Sequence, residues 1–281
     1  MNCPLESCFP SWARPSSCIC CSTGKRGICM IRFKNLSLSY GKNTILKEIS
    51  SHIPKGEFTC ILGRNGSGKS SLLRAVMGLI PYTGEILLGG VPANQLSARV
   101  RAQQIAYLPQ SYPVPNIDVH SLIAHGRFPH TGISHRLSAS DEKLVLEAAQ
   151  ETGVTHLLER MLPSLSGGER QRAYLAMITA QNADTILLDE PASSLDISYQ
   201  AETLLLLSRL HKRGKTVAMV AHDLPQAFTY ATHIILIDGG TIRSEGSPSE
   251  IWNHPAIREA FGAGLLPAQS SDSFYKYHLI R

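Results

Sequence analysis

The sequence predicts an α/β fold: a parallel sheet entered through a glycine-rich turn, preceded by an antiparallel β unit and interrupted by a mainly helical insert. Three observations carry this. A short apolar run, Phe58–Leu62, leads into a glycine-rich stretch and then into apolar residues at 72, 73, 76 and 79, which is helical spacing. Apolar runs of strand length return at 185–188, 216–220 and 234–237, separated by helical stretches, the alternation of a parallel sheet. Between about 98 and 163 the pattern is instead largely helical.

Taken in order, residues 1–29 form a cysteine-rich leader holding six of the seven cysteines. It is either disordered or sequence upstream of a start at Met30; Cys18-x-Cys20-Cys21 fits no standard zinc spacing. It also lacks the apolar core of a secretory signal. From Met30, Ile31, Phe33, Leu36 and Leu38 alternate loosely with polar residues until Gly41, as in a half-buried antiparallel strand. Within the insert, Ser138-x-x-Asp141 resembles a capping box, followed by Leu144, Ala148 and Ala149 at helical spacing. The domain so defined covers 30–265, and 266–281 is expected to be a C-terminal tail. No internal repeat is present.

At 281 residues and 43% hydrophobic, the chain can bury one large core or two modest ones. Its 17% of charged residues is too few for a disordered polypeptide. Of the net charge of +5, the leader carries +2 (Glu6 against Arg14, Lys25 and Arg26), leaving +3 for the rest. That suits a bound polyphosphate or an anionic membrane surface and is too weak to argue for nucleic acid. No apolar stretch has the ~20 residues a membrane-spanning helix needs, so a membrane role would run through a partner. Cys60 alone in the body fits a reducing, cytosolic setting.

Three local patterns carry chemistry. Gly63-Arg64-Asn65-Gly66-Ser67-Gly68-Lys69-Ser70 matches the phosphate-binding loop G-x-x-x-x-G-K-[ST] in full, with Ser71 following. Its glycines let backbone N–H groups turn toward phosphate oxygens, and the next helix aims its positive end at the same anion. Lys69 would reach the β- and γ-phosphates, and the Ser70 hydroxyl would ligate Mg²⁺. The apolar run 185–188 ends in Asp189-Glu190-Pro191. Asp189 at a strand tip suits a Mg²⁺ role, and Glu190 is placed to polarise an attacking water as general base. Ser166-Gly167-Gly168-Glu169 reads as a capping box and, with a serine hydroxyl and two glycines at a helix start, as a second anion cradle.

These motifs together resemble the ATPase subunits of ATP-binding-cassette (ABC) transporters, over 30–265. Tyr40 matches the aromatic that stacks on adenine, and Gly63 to Ser70 the Walker A loop. Gln110 in Leu-Pro-Gln matches the Q-loop glutamine, and Leu165 to Gln171 the signature motif. Residues 185–190 match Walker B, Ser194-Leu195-Asp196 the D-loop, and His222 the switch histidine. The resemblance implies the ABC ATPase fold, with ATP and Mg²⁺ bound and Mg²⁺ held by Ser70, Gln110 and Asp189. It further implies that two copies pair head to tail, each ATP lying between one Lys69 loop and the partner's Ser166 helix end. Glu190, His222 and Gln110 would carry hydrolysis.

A narrower resemblance points to importers of iron–siderophore, haem and cobalamin complexes. It rests on Ala124-His-Gly-Arg-Phe-Pro-His130, on Arg172-Ala-Tyr-Leu-Ala-Met177 and on Leu195-Asp-Ile-Ser-Tyr-Gln200. Ala192, where the family usually has Thr, and His125, where an aliphatic residue is usual, depart from the pattern. The expected partners are a second copy, transmembrane permease subunits and, indirectly, an extracytoplasmic binding protein, at the cytoplasmic face of the membrane. Two alternatives stay open: a subunit for another solute, and a soluble ABC-type ATPase acting on nucleic acid or the ribosome, against which stand the single cassette and compact insert.

Overall fold

A computed structural model describes residues 29–131, 136–191, 197–268 and 276–280. The leader up to residue 28, the D-loop with Asp196, and Ala192 lie outside them, while the last leader residue, Cys29, already belongs to the first strand. In chain order come β1 (Cys29–Tyr40), β2 (Asn43–Pro54), β3 (Phe58–Leu62), α1 (Lys69–Val76), β4 (Thr83–Leu88), β5 (Val91–Pro92), α2 (Ala98–Gln104) and β6 (Ile105–Leu108). The helices α3 (Val119–His125), α4 (Ala139–Glu151) and α5 (Gly167–Ala180) follow. Then come β7 (Thr185–Asp189), α6 (Ile197–Lys212), β8 (Thr216–Val220), α7 (Leu224–Tyr230), β9 (His233–Asp238) and β10 (Thr241–Gly246). Last are α8 (Pro248–Ile251), α9 (Pro255–Phe261), β11 (Gly264–Pro267) and β12 (Tyr277–Ile280).

The central sheet has the order β10-β9-β3-β8-β7-β6, parallel except for β10. Strands β3, β7 and β8 are buried along their whole length, as parallel strands covered on both faces must be. Alternate residues feed two cores. Phe58, Cys60, Leu62, Leu188 and Met219 face the helical side with α3, α4 and α5. Ile61, Leu187, Ala218, Val220 and Ile235 face α1 and a second, four-stranded antiparallel sheet of order β2-β1-β4-β5. The alternation of Ile31, Phe33, Leu36 and Leu38 buries these side chains in that second core, as expected of β1.

Two sequence boundaries are corrected. Residues 98–163 were expected to be the insert, but β6 pairs in parallel with β7 and belongs to the central sheet, so the helical segment begins after Leu108. A four-residue strand directly after a helix has too few residues to show its own period. The tail expected from 266 begins inside β11, which pairs with β12; Tyr277 of β12 packs its ring edge on Phe228 of α7.

Candidate nucleotide site

The glycine-rich loop joins the carboxyl end of β3, in the interior of the sheet, to the first turn of α1. This is the edge at which open α/β sheets bind ligands. Gly63 has φ +152°, and an added Cβ would lie 1.9 Å from the backbone oxygen of Ile237, so no other residue fits. Gly68, at φ +97°, caps α1 where a Cβ would strike the Leu46 side chain at 2.4 Å. Arg64, Asn65 and Gly66 form the exposed crest of the loop, and Ser67, Gly68 and Lys69 its buried base. Ser70 and Ser71 are half-buried at the start of α1.

Lys69 is 4% exposed, and its Nζ donates to the carbonyls of Gly63 (2.9 Å) and Arg64 (2.8 Å). The ammonium thus lies curled within the loop that would hold a polyphosphate. Burial lowers its pKa, opposed by the charges of Glu190 and Asp189.

The Ser70 hydroxyl donates to Oδ1 of Asp189 at 2.7 Å. Asp189, at the tip of β7, is 1% exposed, and its Oδ2 is buried with no hydrogen-bond partner among the described residues. Burial pushes this carboxyl above its ordinary pKa. The Ser70 bond opposes the rise, Glu190 reinforces it, and Arg74 and Lys69 pull against it. A hydroxyl and a buried carboxylate with one orphaned oxygen, beside a phosphate loop, are the hard oxygen donors that suit Mg²⁺. The residues present therefore fit the ion. Arg74, one turn beyond Ser70 on α1, was missed by sequence reading; its place on the same helix face as Ser70 was the available signal.

Glu190 follows with φ +53°, a left-handed conformation uncommon for a residue with a side chain. Gln110 Nε2 donates to its Oε2 at 2.9 Å, and His222 Nε2 meets its Oε1. Gln110 comes two residues after β6, Glu190 directly after β7 and His222 two residues after β8. Because these strands are neighbours in the sheet, three residues far apart in the chain converge at one edge. With its amide nitrogen bonded to Glu190, Gln110 has its carbonyl oxygen as the atom suited to a cation.

Ser166 stands apart from this group, as the N-cap of α5. Its hydroxyl accepts from the Glu169 N–H at 3.3 Å and donates to Glu169 Oε2 at 2.8 Å, completing the expected capping box. Hydrogen bonds from Ser166 hold the Glu169 carboxyl below its ordinary pKa. A Cβ on Gly168 would come within 2.9 Å of the Tyr199 ring, whereas Gly167 faces open space. Tyr40, at the end of β1, is 47% exposed.

A glycine-rich loop between strand and helix, with a carboxylate pair at the tip of β7, one strand removed from β3 in the same sheet, defines a P-loop nucleoside-triphosphate hydrolase. Comparison with known proteins makes this specific. The ABC transporter family model matches residues 46–193, and the chain belongs to that family as one of its ATP-binding, ATP-hydrolysing cassettes. It is 42% identical over 238 residues to the ferric enterobactin transport ATP-binding protein FepC of Escherichia coli, covering 84% of this chain and 88% of that one. It is also 42% identical to the petrobactin import ATP-binding protein FpuD of Bacillus anthracis, over 81% of this chain and 85% of that one. The hemin import ATP-binding protein HmuV of Plesiomonas shigelloides is 35% identical, at 81% and 93% coverage. Among solved structures, an inward-facing metal-chelate-type ABC transporter superposes with a TM-score of 0.77 at 26% identity, covering 90% of this chain and 97% of that one. The dimeric bacterial cassette MJ0796 does so with a TM-score of 0.70 at 28% identity, covering 78% and 99%.

Proposed function

We propose that this chain hydrolyses ATP to drive import of a metal chelate, an iron–siderophore complex or else haem or cobalamin. It would do so as a head-to-tail pair docked on permease subunits at the cytoplasmic face of the membrane, fed by an extracytoplasmic binding protein. The cargo class is supported by the siderophore and hemin importers among its relatives, and pairing by the dimeric cassette it resembles. Among the described residues no helix is long and apolar enough to cross a membrane, which fits a subunit that acts through membrane partners.

The chemistry assigned to the site is supported above all by the convergence of Gln110, Glu190 and His222. Gly63 to Ser71 cradle the phosphates, Lys69 turns from its loop carbonyls to the β- and γ-oxygens, and Tyr40 stacks on adenine. Ser70, Asp189 and Gln110 would hold magnesium, which when bound neutralises phosphate charge. Glu190 takes the proton of the attacking water, and His222 positions both the carboxylate and the γ-phosphate. Ser166, Gly167, Gly168 and Glu169 present a helix end to the γ-phosphate of the partner's ATP. Hydrolysis removes the charge that holds the halves together, and Gln110, at the border of sheet and helical segment, relays its loss.

The decisive experiment measures uptake of ferric siderophore, haem and cobalamin in cells lacking the gene, complemented with wild type or Glu190→Gln. Restoration of one chelate by wild type alone is expected. Restoration by both proteins would remove Glu190 from the mechanism, and restoration by neither would overturn the cargo class.

A further inference from the structure

A group of potential metal ligands lies away from the nucleotide site, at the seam between the two sheets. His52 on β2, His233 at the start of β9 and Glu245 on β10 place their ligand atoms within 4.8 Å of one another. His52 Nδ1 is 2.9 Å, and His233 Nε2 3.4 Å, from the same carboxylate oxygen, Glu245 Oε1. We propose that these three side chains bind a divalent transition-metal ion of the zinc type, with a water in the fourth position.

The spacing suits such an ion. Nitrogen and oxygen ligands about 2.0–2.2 Å from a tetrahedral centre lie about 3.3 Å from one another, so small side-chain rotations would open the cluster around a metal. Two imidazoles and one carboxylate are a donor set that zinc and its neighbours favour over Mg²⁺ or Ca²⁺. His233 also has the support expected of a ligand. Its Nδ1 lies 3.5 Å from the Thr59 hydroxyl on β3, which orients the ring so that Nε2 faces the cluster. His233 is 9% exposed and held by the sheet, while the His52 side chain, 42% exposed, leaves an entry path.

The place in the fold gives the ion a role. Lys47 N–H donates to Gly240 O at 2.8 Å, joining β2 to the β9–β10 turn, and the histidine cluster lies further along the same seam. Thr59 and His233 are register partners on β3 and β9, four residues before Gly63 and Ile237. That puts the cluster about 13 Å along the strands from the phosphate loop. A metal there would clamp the antiparallel sheet, which carries Tyr40, to β9 and β10, of which β9 pairs directly with β3, the strand that leads into the loop.

The test uses the full chain, free of nucleotide, with the thiols of the leader alkylated so that they do not compete. It is titrated with Co²⁺ alone, read by visible absorption and calorimetry. Wild type is expected to bind one equivalent through nitrogen and oxygen ligands and to melt at higher temperature with the metal. His52→Ala, at a side chain 42% exposed, and the isosteric Glu245→Gln, both with the fold verified by circular dichroism, should lose affinity at least tenfold and lose the thermal shift. Equal affinity in wild type and both variants, or no Co²⁺ bound by wild type, would show an ordinary hydrogen-bonded His–Glu–His cluster and overturn the proposal.

Discussion

Glu190 is gripped from both sides, by the Gln110 amide and the His222 imidazole. A general base whose carboxylate is aimed in this way contributes about 10²–10⁴ in rate. Glu190→Gln is therefore expected to bind ATP as wild type does and to release phosphate at least a hundredfold more slowly in a single-turnover assay. Lys69 acts differently, because it is the buried cation of the loop itself. Lys69→Ala should lose most of its ATP affinity in an equilibrium titration with a fluorescent nucleotide; unchanged affinity would take Lys69 out of the phosphate site. Lys69, Ser70, Asp189 and Glu190 were each legible in the sequence, because each sits in a contiguous motif. The bond between Gln110 and Glu190, 80 residues apart, was not, since only the pairing of β6 with β7 brings them together.

At the scale of elements, the segment Ala124 to His130 has a structural task besides its family resemblance. Arg127 is 7% exposed; it donates to Asp141 Oδ1 at 2.9 Å and to the carbonyls of Ala180 and Gln181. It thereby ties the end of α3 to the start of α4 and the end of α5. Asp141 is also the reciprocal member of the Ser138 capping box. The Ser138 hydroxyl and N–H, and then Arg127, hold its carboxyl down at about 2. Removing one partner of this part-buried ion pair leaves the Arg127 guanidinium without its carboxylate, at a cost of about 2 kcal/mol. Asp141→Ala should lower the melting temperature at neutral pH. Because the folded pKa is depressed, the contribution is complete above the unfolded value of about 3.9 and is lost as pH falls through about 2. The gap between wild type and variant should accordingly close over that window. Both the Ser138 and Ser166 boxes were readable from four-residue spacing, while Arg127 inside a short Gly-Arg-Phe-Pro segment gave no sign of burial. β6 escaped for a similar reason: four residues of strand become recognisable only beside β7.

At the scale of the whole molecule, the phosphate loop and the α5 N-terminus belong to different parts of the fold. Ser166 caps its own helix, and Gly167 faces open space. A second copy supplying its helix end to this loop gives both features a use. On a Glu190→Gln background, where ATP persists, size-exclusion chromatography should show an ATP-dependent dimer. Adding Ser166→Arg places a long cation in the cradle and should return the protein to monomer while nucleotide binding to the single chain is kept. A dimer that survives Ser166→Arg would contradict the head-to-tail arrangement.

The sequence by itself determined the α/β class, the phosphate loop, the carboxylate-ended strand and the capped signature helix, because each is a short-range pattern whose chemistry is carried by neighbouring residues. Only the tertiary structure decided which strand tips meet, that Asp189 keeps a buried oxygen without a hydrogen-bond partner among the described residues, and that His52, His233 and Glu245 share one seam. Those are consequences of strand order and register between distant segments, and strand order is set by how two cores pack against one sheet, which no local period records.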